Sequence, residues 1–362
     1  MSTESPSSER SRLEIKLATT RDEVLACEDV IRKGFGRVMR LGVESEVDEQ
    51  LSLKTLYCVD EEGRVLAASR LIGLDYLTRS EELVREYRIT GVPDDLRARA
   101  LLSFQSAALP EQRGSEVMTL LFRGVYEFAV ENGYLFLMSA VKPFLFPYFA
   151  SMGFRPYERA YISSEGGFRI PIALVNHDQD YLRACKSLFA SASNFGREAP
   201  GAAAAMEWFE KCCPKDDALN VRVLTRPEHV DFDVGFMKGL SEATIRSIFR
   251  NAVVIRCERG DQLIKQNAAD QVIGFIVEGS VDVKKGDRTI ATLRAGEIFG
   301  EVSFLLKVPR TASLYAAEEG TRIVYISMHS VDAIKDPLEA SVFWRSLSVH
   351  LATRLQHTTE LL

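Results

Sequence analysis

The most informative segment of the sequence runs from residue 296 to residue 313. It begins with Gly-Glu-Ile-Phe-Gly-Glu-Val-Ser-Phe over 296–304 and ends with Pro-Arg-Thr-Ala-Ser over 309–313. Small residues let main-chain N–H groups approach an anion, and a helix that starts there aims its positive end at it. Arg310 offers a planar set of donors that matches two phosphate oxygens, and Glu301 can accept a hydrogen bond from a ribose hydroxyl. The stretch therefore predicts a pocket for a phosphorylated sugar.

The flanking sequence predicts short strands. Between residues 253 and 326, apolar runs alternate with turns centred on Gly. Regular turn signals between short strands are typical of an all-β barrel or jelly roll. The predicted strands cover residues 253–255, 272–277, 281–283, 289–293 and 322–326.

Residues 232–362 resemble the cyclic nucleotide-binding domain of catabolite-activator-type regulators, cyclic-nucleotide-dependent kinases and gated channels. The Phe-Gly-Glu and Arg-Thr-Ala pieces at 299–301 and 310–312 carry this resemblance. It implies a cyclic nucleotide as ligand, and a barrel that has lost its ligand is the alternative. The implied pocket residues are Phe299, Gly300, Glu301, Val302, Ser303, Arg310, Thr311 and Ala312.

A helix is predicted from Asp336-Pro337 to the end of the chain, because Pro is favoured in the first turn. It is similar to the long helix of the catabolite-activator family, and the resemblance implies that Thr358 and Thr359 reach the base. The alternative is that both threonines are ordinary exposed residues of the helix. The predicted apolar stripe of this helix consists of Leu338, Val342, Leu347, Leu351 and Leu355, and it allows a homodimer.

Two further features limit the ligand and the partners. In relatives, a Thr at the position of Thr311 accompanies cGMP and also cAMP, so we expect cAMP, with cGMP as second choice. The sequence stops at Leu362, where a regulator of the family would continue into a helix-turn-helix, and the net charge is -6. We therefore expect no DNA binding.

Length and composition predict two or three domains of a globular protein. No apolar run is long enough to span a bilayer, and the polar start lacks a signal-peptide core, so we expect a cytoplasmic protein with a disordered tail over residues 1–12. The six Cys and five His residues show no metal-ligand spacing. We expect free thiols and no metal site.

Residues 13–178 alternate predicted strands and helices. A hairpin is predicted around 61–64, a helix over 117–132 and a strand over 134–141. Residues 13–165 resemble the GNAT acyltransferase fold, in its branch of N-acyl amino acid and acyl-homoserine-lactone synthases. The resemblance implies that Arg113, Gly114 and Ser115 bind an acyl donor, either acyl-CoA or an acyl carrier protein thioester.

The chain departs from the GNAT pattern at several positions. Glu116 stands where a small residue is expected, and 103–107 shows neither the acidic residue nor the Arg of the synthase branch. Phe149 replaces the Tyr that serves as general acid in many GNAT enzymes, which leaves Tyr148 as the candidate, and a core position is its alternative. Positioning of a thioester against an amine can sustain catalysis without these groups.

Together these features predict an α+β protein. Its predicted parts are a GNAT-like α/β domain (13–178), a helical bridge (179–230, with helices over 180–191 and 202–212), and a jelly-roll barrel with flanking helices (231–362). The first hypothesis is a cyclic nucleotide sensor that controls an N-acyltransferase. The second is a non-enzymatic sensor whose GNAT-like module binds an acyl carrier or a protein partner. A third is a ligand-free barrel used for dimerisation.

Overall fold

The structure is a computed structural model. It describes residues 13–35, 53–77, 84, 87–112, 116–158, 160–163, 167–212, 223–224, 237, 239–249, 254–268, 272–332 and 334–360. Its contacts divide the chain into two compact units. The first contains residues 1–85, 89–139 and 174–206, and the second contains residues 86–88, 140–173 and 207–362. Residues 140–173 thus share a unit with the barrel, whereas the predicted division into folding modules stays a prediction.

The first unit is built on a sheet of five strands in the order β1-β2-β3-β4-β5, followed by the end of β8. The predicted hairpin is confirmed as β2 and β3, and Asp60 Oδ1 accepts hydrogen bonds from the amides of Glu62 and Arg64 in its turn. The strands are β1 (Glu14–Leu17), β2 (Lys54–Val59), β3 (Val65–Gly73), β4 (Ala100–Ala108) and β5 (Phe136–Val141).

Helices cover this sheet and its connections. The predicted helix over 117–132 is confirmed as α4, which ends at Glu131 and is followed by the C-cap Asn132 and by Gly133, whose φ is 74°. Tyr126 of α4 stacks on Phe189 and donates to the main-chain oxygen of Asn176 at 2.9 Å. The helices are α1 (Arg21–Phe35), α2 (Leu74–Leu77), α3 (Asp94–Arg97), α4 (Val117–Glu131) and α6 (Gln179–Ala184), and α7 (Ala202–Cys212) follows them.

The second unit begins with a short helix and a small set of strands. The helix α5 (Phe146–Ser151) follows a 3-10 turn over Pro143–Leu145. Three strands come next: β6 (Arg155–Pro156), β7 (Tyr161–Ile162) and β8 (Phe168–Val175), and β8 pairs antiparallel with both of the others.

Two antiparallel sheets form the jelly-roll-like barrel of the second unit. Their strand orders are β15-β12-β17-β10-β9 and β11-β16-β13-β14. The predicted α+β class and the barrel are thereby confirmed. The strands are β9 (Val223–Leu224), β10 (Val254–Arg256), β11 (Gln262–Ile264), β12 (Val272–Glu278), β13 (Ser280–Lys285), β14 (Arg288–Arg294), β15 (Ile298–Phe299), β16 (Ser313–Ala316) and β17 (Arg322–Ser327).

Within the described residues, four helices accompany the barrel: α8 (Glu242–Phe249), α9 (Glu301–Leu306), α10 (Met328–Asp332) and α11 (Pro337–Glu360). Ser241 caps α8, since its Oγ accepts from the amide of Thr244 at 3.3 Å. Phe343 and Leu347 anchor α11 in the apolar core of the barrel, together with Phe275 and Phe304. The C-terminal helix is therefore packed on the barrel rather than projecting from it.

Two predictions about helices are wrong in part. The helix predicted over 180–191 divides into α6 and a 3-10 turn over Leu188–Ser191, because Lys186 takes a φ of 55° and Ser187 caps the second piece. The apolar stripe of α11 is buried only in its middle, since Leu338 is 77% and Leu355 is 68% exposed. A straight helix turns 100° per residue, so a stripe of that length drifts off the core face.

Candidate functional site

The turn between β15 and α9 is built on Gly300, whose φ is 80°. A positive φ disfavours any residue with a side chain. An added Cβ would lie 2.2 Å from Nη1 of Arg310 and 2.9 Å from the main-chain oxygen of Val272. Only glycine therefore lets the Arg310 guanidinium lie against this turn.

Arg310 is the buried cation of the site, with 2% of the residue exposed. Its Nη1 donates to the main-chain oxygen of Gly300 and its Nη2 to that of Val272, each at 2.9 Å. Among the residues that the structure describes, none accepts a hydrogen bond from its Nε. Burial lowers the pKa of Arg310 to about 10, and the nearby Tyr325 and Glu301 oppose that shift. The side chain stays charged at neutral pH in a shielded place, where an anion would compensate its charge.

Glu301 is the buried carboxylate beside this cation, with 6% of the residue exposed. Its Oε1 accepts a hydrogen bond from Nη1 of Arg354 at 2.8 Å. Nη2 of Arg354 also donates to the main-chain oxygen of Ile298 at 2.6 Å and to Nε2 of His350 at 3.2 Å. Arg354 of α11 thus fixes the position of the Glu301 carboxylate. A sugar hydroxyl that donated to this carboxylate would do so beside the hydrogen bond from Arg354.

Phe299 belongs to the core of the barrel. An added Cβ on Gly274 would lie 2.0 Å from its ring, and the ring meets Tyr325 edge to face at a centroid distance of 6.2 Å. Its predicted contact with a ligand would therefore come from the main chain.

The structure brings three of the predicted pocket residues together: Gly300, Glu301 and Arg310. Around them, Ser303 and Ala312 are buried, Val302 is half-buried and Thr311 is exposed. Thr358 and Thr359 lie in α11, but their side chains are outside the described residues. The roles of all these residues in binding stay predictions.

Sequence reasoning missed Arg354 and His350. Both project from α11 towards the carboxylate side of the pocket, where Arg354 bonds Glu301 and His350 accepts from Arg354. Burial lowers the pKa of His350, and the charge of Arg354 lowers it further. A signal was present, because residues four apart share a helix face: Arg354 precedes Thr358 by four positions, and His350 precedes Arg354 by four.

In the first unit, the predicted acyl-donor loop of Arg113, Gly114 and Ser115 lies outside the described residues. The strands beside it are described. The parallel register of β4 and β5 runs from Ala100↔Phe136 to Leu102↔Met138. Beyond it, the main-chain oxygen of Ser103 accepts from the hydroxyl of Ser139 at 2.9 Å. The strands therefore stop pairing midway along β4.

A polar cluster follows at the same point of β4. The pairing of β3 with β4 shifts between Ala68 and Arg70, and Gln105 takes a φ of 49°, so the strand bulges there. Arg70 donates to Gln105 Oε1 at 2.7 Å and to Glu28 Oε1 at 2.8 Å. Glu28 of α1 and Arg70 of β3 thus form an ion pair next to the 103–107 stretch. Three hydroxyls lie beside them, those of Ser69, Ser103 and Ser106.

The candidate Tyr148 lies on α5 and is 40% exposed. Its neighbour Phe149 is buried and packs edge to face on Phe154 at a centroid distance of 5.4 Å. The core alternative for Tyr148 is therefore wrong, because Phe149 occupies the core position. Whether Tyr148 takes part in chemistry stays a prediction.

Five cysteines lie in the part of the chain that the structure describes. These residues, Cys27, Cys58, Cys185, Cys212 and Cys257, are free thiols. No group of three or more His, Cys, Asp or Glu side chains there has the geometry to hold a metal ion. Likewise, none of the described helices is long and apolar enough to cross a membrane.

Comparison with known proteins identifies two curated relatives of the barrel region. A cGMP-dependent protein kinase of Toxoplasma gondii is 33% identical over 111 residues, which are 30% of this chain and 11% of the kinase. A cAMP-dependent protein kinase regulatory subunit of Mycosarcoma maydis is 29% identical over 114 residues, 29% of this chain and 22% of that protein. The chain thus spans only a small part of the length of these relatives.

Solved structures resemble parts of this chain at low sequence identity. FeeM, an N-acyl amino acid synthase from uncultured soil microbes, is similar over 49% of this chain and 98% of its own, at 13% identity and a TM-score of 0.40. The family model of the cyclic nucleotide-binding domain matches residues 254–336. This part of the chain, with Gly300, Glu301 and Arg310 at its centre, belongs to the cyclic nucleotide-binding domain family.

Proposed function

We propose that the protein is a cyclic nucleotide sensor, with cAMP as its ligand, that controls an attached N-acyltransferase module. The observation that carries the sensor is the buried Arg310, a cation against Gly300 whose charge is met mainly by main-chain carbonyls. A cyclic phosphate would supply the anion, and Glu301 would accept from the ribose hydroxyl. Thr311 is exposed beside this site. It is compatible with cGMP as well, which is the second candidate ligand.

A displacement assay on the full chain tests the sensor. A fluorescent cyclic nucleotide is bound first and is then displaced by cAMP or by cGMP. Hydrogen bonds to charged groups contribute about 1.5–3 kcal/mol each, so Arg310→Ala should weaken binding by at least about tenfold. Arg288 is exposed on β14, and the matched control Arg288→Ala should bind as the wild type does. Equal affinity of both variants would refute the role of Arg310.

The acyltransferase module is supported by the end of the pairing between β4 and β5. The register of β4 and β5 ends at Leu102↔Met138, and an extended thioester carrier with amide groups can bind along a strand edge where such pairing ends. The nearby pair of Glu28 and Arg70 supplies polar groups beside this edge. We infer acyl transfer from acyl-CoA or an acyl carrier protein to an amine.

The second candidate is a non-enzymatic sensor. Its supporting observation is that Arg70 is already bonded to Glu28 and Gln105, while Phe149 replaces the general acid. Incubation with acyl-CoA donors of several chain lengths separates the two. Thioester loss that requires an added amine supports the enzyme, and its absence at every chain length supports the non-enzymatic sensor.

A homodimer through α11 is the proposed assembly. Leu338, Trp344, Val349 and Leu355 are exposed apolar residues of this helix, and burying them against a second copy would remove apolar surface from water. Light scattering of the full chain at several concentrations tests it, and a monomer throughout would refute it. The proposed location is the cytoplasm.

A further inference from the structure

The segment 262–268, here called the connecting segment, contains β11 and the turn after it. On one side it holds the main chain of Arg310. The amide of Asn267 donates to the oxygen of Arg310 at 2.8 Å, and the amide of Arg310 donates to the oxygen of Ala268 at 2.9 Å. The amide of Gln266 also donates to Ser313 Oγ at 3.0 Å. Arg310 is therefore tied to this segment in both directions.

On its other side, the connecting segment holds the β7–β8 hairpin, which the structure describes over 161–163 and from 167 onwards. The amide of Gly167 donates to the main-chain oxygen of Gln262 at 3.2 Å. Gly167 has a φ of 82°, and an added Cβ would lie 3.2 Å from the oxygen of Leu263. The hairpin and the connecting segment belong to the same compact unit, so this contact is part of the architecture of that unit.

Leu263 lies at a bulge between these two attachments. The pairing of β11 with β16 runs from Gln262↔Tyr315 to Ile264↔Leu314, which leaves Leu263 as the extra residue. A bulge redirects the groups of the extra residue away from the regular ladder. The hydroxyl of Tyr325 lies 3.5 Å from the main-chain oxygen of Leu263, and the Tyr325 ring meets the ring of Phe299 in β15. The side chain of Tyr325 therefore links Phe299 to the connecting segment, independently of the main chain of Arg310.

These contacts suggest that nucleotide binding and the contact between the hairpin and the connecting segment weaken each other. Nη1 and Nη2 of Arg310 now donate to the main-chain oxygens of Gly300 and Val272. A phosphate that accepts from the same two nitrogens would compete with these carbonyls and shift Arg310. Its main chain is bonded to the connecting segment, which in turn holds Gly167. We propose that the connecting segment transmits nucleotide binding at Arg310 to the β7–β8 hairpin, so that nucleotide binding weakens the contact of Gly167 with Gln262. The proposal rests on the proposed sensor function and adds the element through which the sensor acts.

Hydrogen exchange on the full chain provides the first test. With cAMP and, separately, cGMP at saturation, we expect the amide of Gly167 to exchange several-fold faster than in the unliganded protein. Exchange of the Gly286 amide, in the turn between β13 and β14, serves as the internal reference. Unchanged exchange at Gly167 in a protein that binds nucleotide would overturn the proposal and leave the sensor intact.

A pair of glycine variants provides the second test. Coupling is reciprocal, so weakening the hairpin contact should tighten nucleotide binding, and we expect Gly167→Ala to do so by about fivefold. Gly286 also has a positive φ, 59°, but an added Cβ would meet nothing within 4 Å, so Gly286→Ala should leave the affinity within about twofold. Equal affinities of the two variants would contradict the proposal.

Tyr325→Phe guards against a Gly167→Ala variant that fails to fold. It removes only the hydroxyl near Leu263, and we expect it to tighten nucleotide binding in the same direction. Unaltered affinity in both variants would refute the transmission. No binding of either nucleotide by the wild type would instead refute the sensor itself, and the proposal would fail with it.

Discussion

The contact between Gly300 and Arg310 couples the conformation of one residue to the charge of another. The positive φ of Gly300 opens the space in which the guanidinium lies. Glycine at this position therefore contributes twice, once by adopting the turn without strain and once by the absence of a Cβ.

Substitution of two glycines separates these contributions. Gly296 has a φ of 87° and no atom within 4 Å of an added Cβ, so Gly296→Ala should cost only the left-handed backbone strain, about 1–2 kcal/mol. Gly300→Ala adds a steric conflict with Arg310 and Val272 and should cost about 1–3 kcal/mol more. Urea unfolding of both variants measures the difference. Equal losses of stability would mean that the space around Gly300 is not limiting.

At the scale of elements, α11 is joined to the pocket by Arg354 and His350. Arg354 can only donate, so Nε2 of His350 accepts and the imidazole must be neutral in this arrangement. The groups that face His350 are Arg354, which lowers its pKa, and Glu301 and Glu297, which raise it, while burial gives the largest lowering.

The lowered pKa of His350 predicts a loss of stability in acid. The unfolded chain binds a proton at His350 below about pH 6.5, whereas the folded protein binds it only at lower pH. The unfolded state therefore holds more protons in this window, and stability falls as pH drops from about 7 to about 5. In His350→Gln, the free energy of unfolding should depend less on pH over this range. An identical pH profile in wild type and variant would contradict this account.

Sequence patterns predicted the longer elements better than the short ones. The strands β12, β14 and β17 are six or seven residues long, and the apolar runs that predicted them are bounded by turn signals. The strands β11 and β16 have three and four residues, and they are formed by pairing with distant partners rather than by their own composition. The connecting segment could not be predicted for the same reason.

The candidate site shows a similar limit. Gly300, Glu301 and Arg310 lie within ten positions and follow a recognisable pattern, so sequence analysis singled them out together. Glu28, Arg70 and Gln105 meet across separations of 42 and 35 residues, and a bulge in β4 brings them together. Such a cluster depends on strand register, which a single sequence does not specify.

For the whole molecule, we propose that one chain joins a nucleotide sensor to an acyl-transfer module. If the two are coupled, cAMP should change the rate of amine-dependent thioester loss by several-fold, and Arg310→Ala should abolish that nucleotide effect. The rate is measured with the full chain at saturating acyl-CoA, with and without cAMP. A rate that is unaffected by nucleotide would separate the two activities.

We propose above all that Arg310 binds the phosphate of a cyclic nucleotide. Calorimetric titration of the full chain with cAMP and with cGMP is the decisive experiment. We expect saturable binding of one nucleotide with a Kd at or below the micromolar range, which is a free energy of binding of about -8 kcal/mol or more favourable. We expect Arg310→Ala to lose that binding. Absence of binding by the folded wild-type protein, or undiminished binding by the variant, would contradict the proposal.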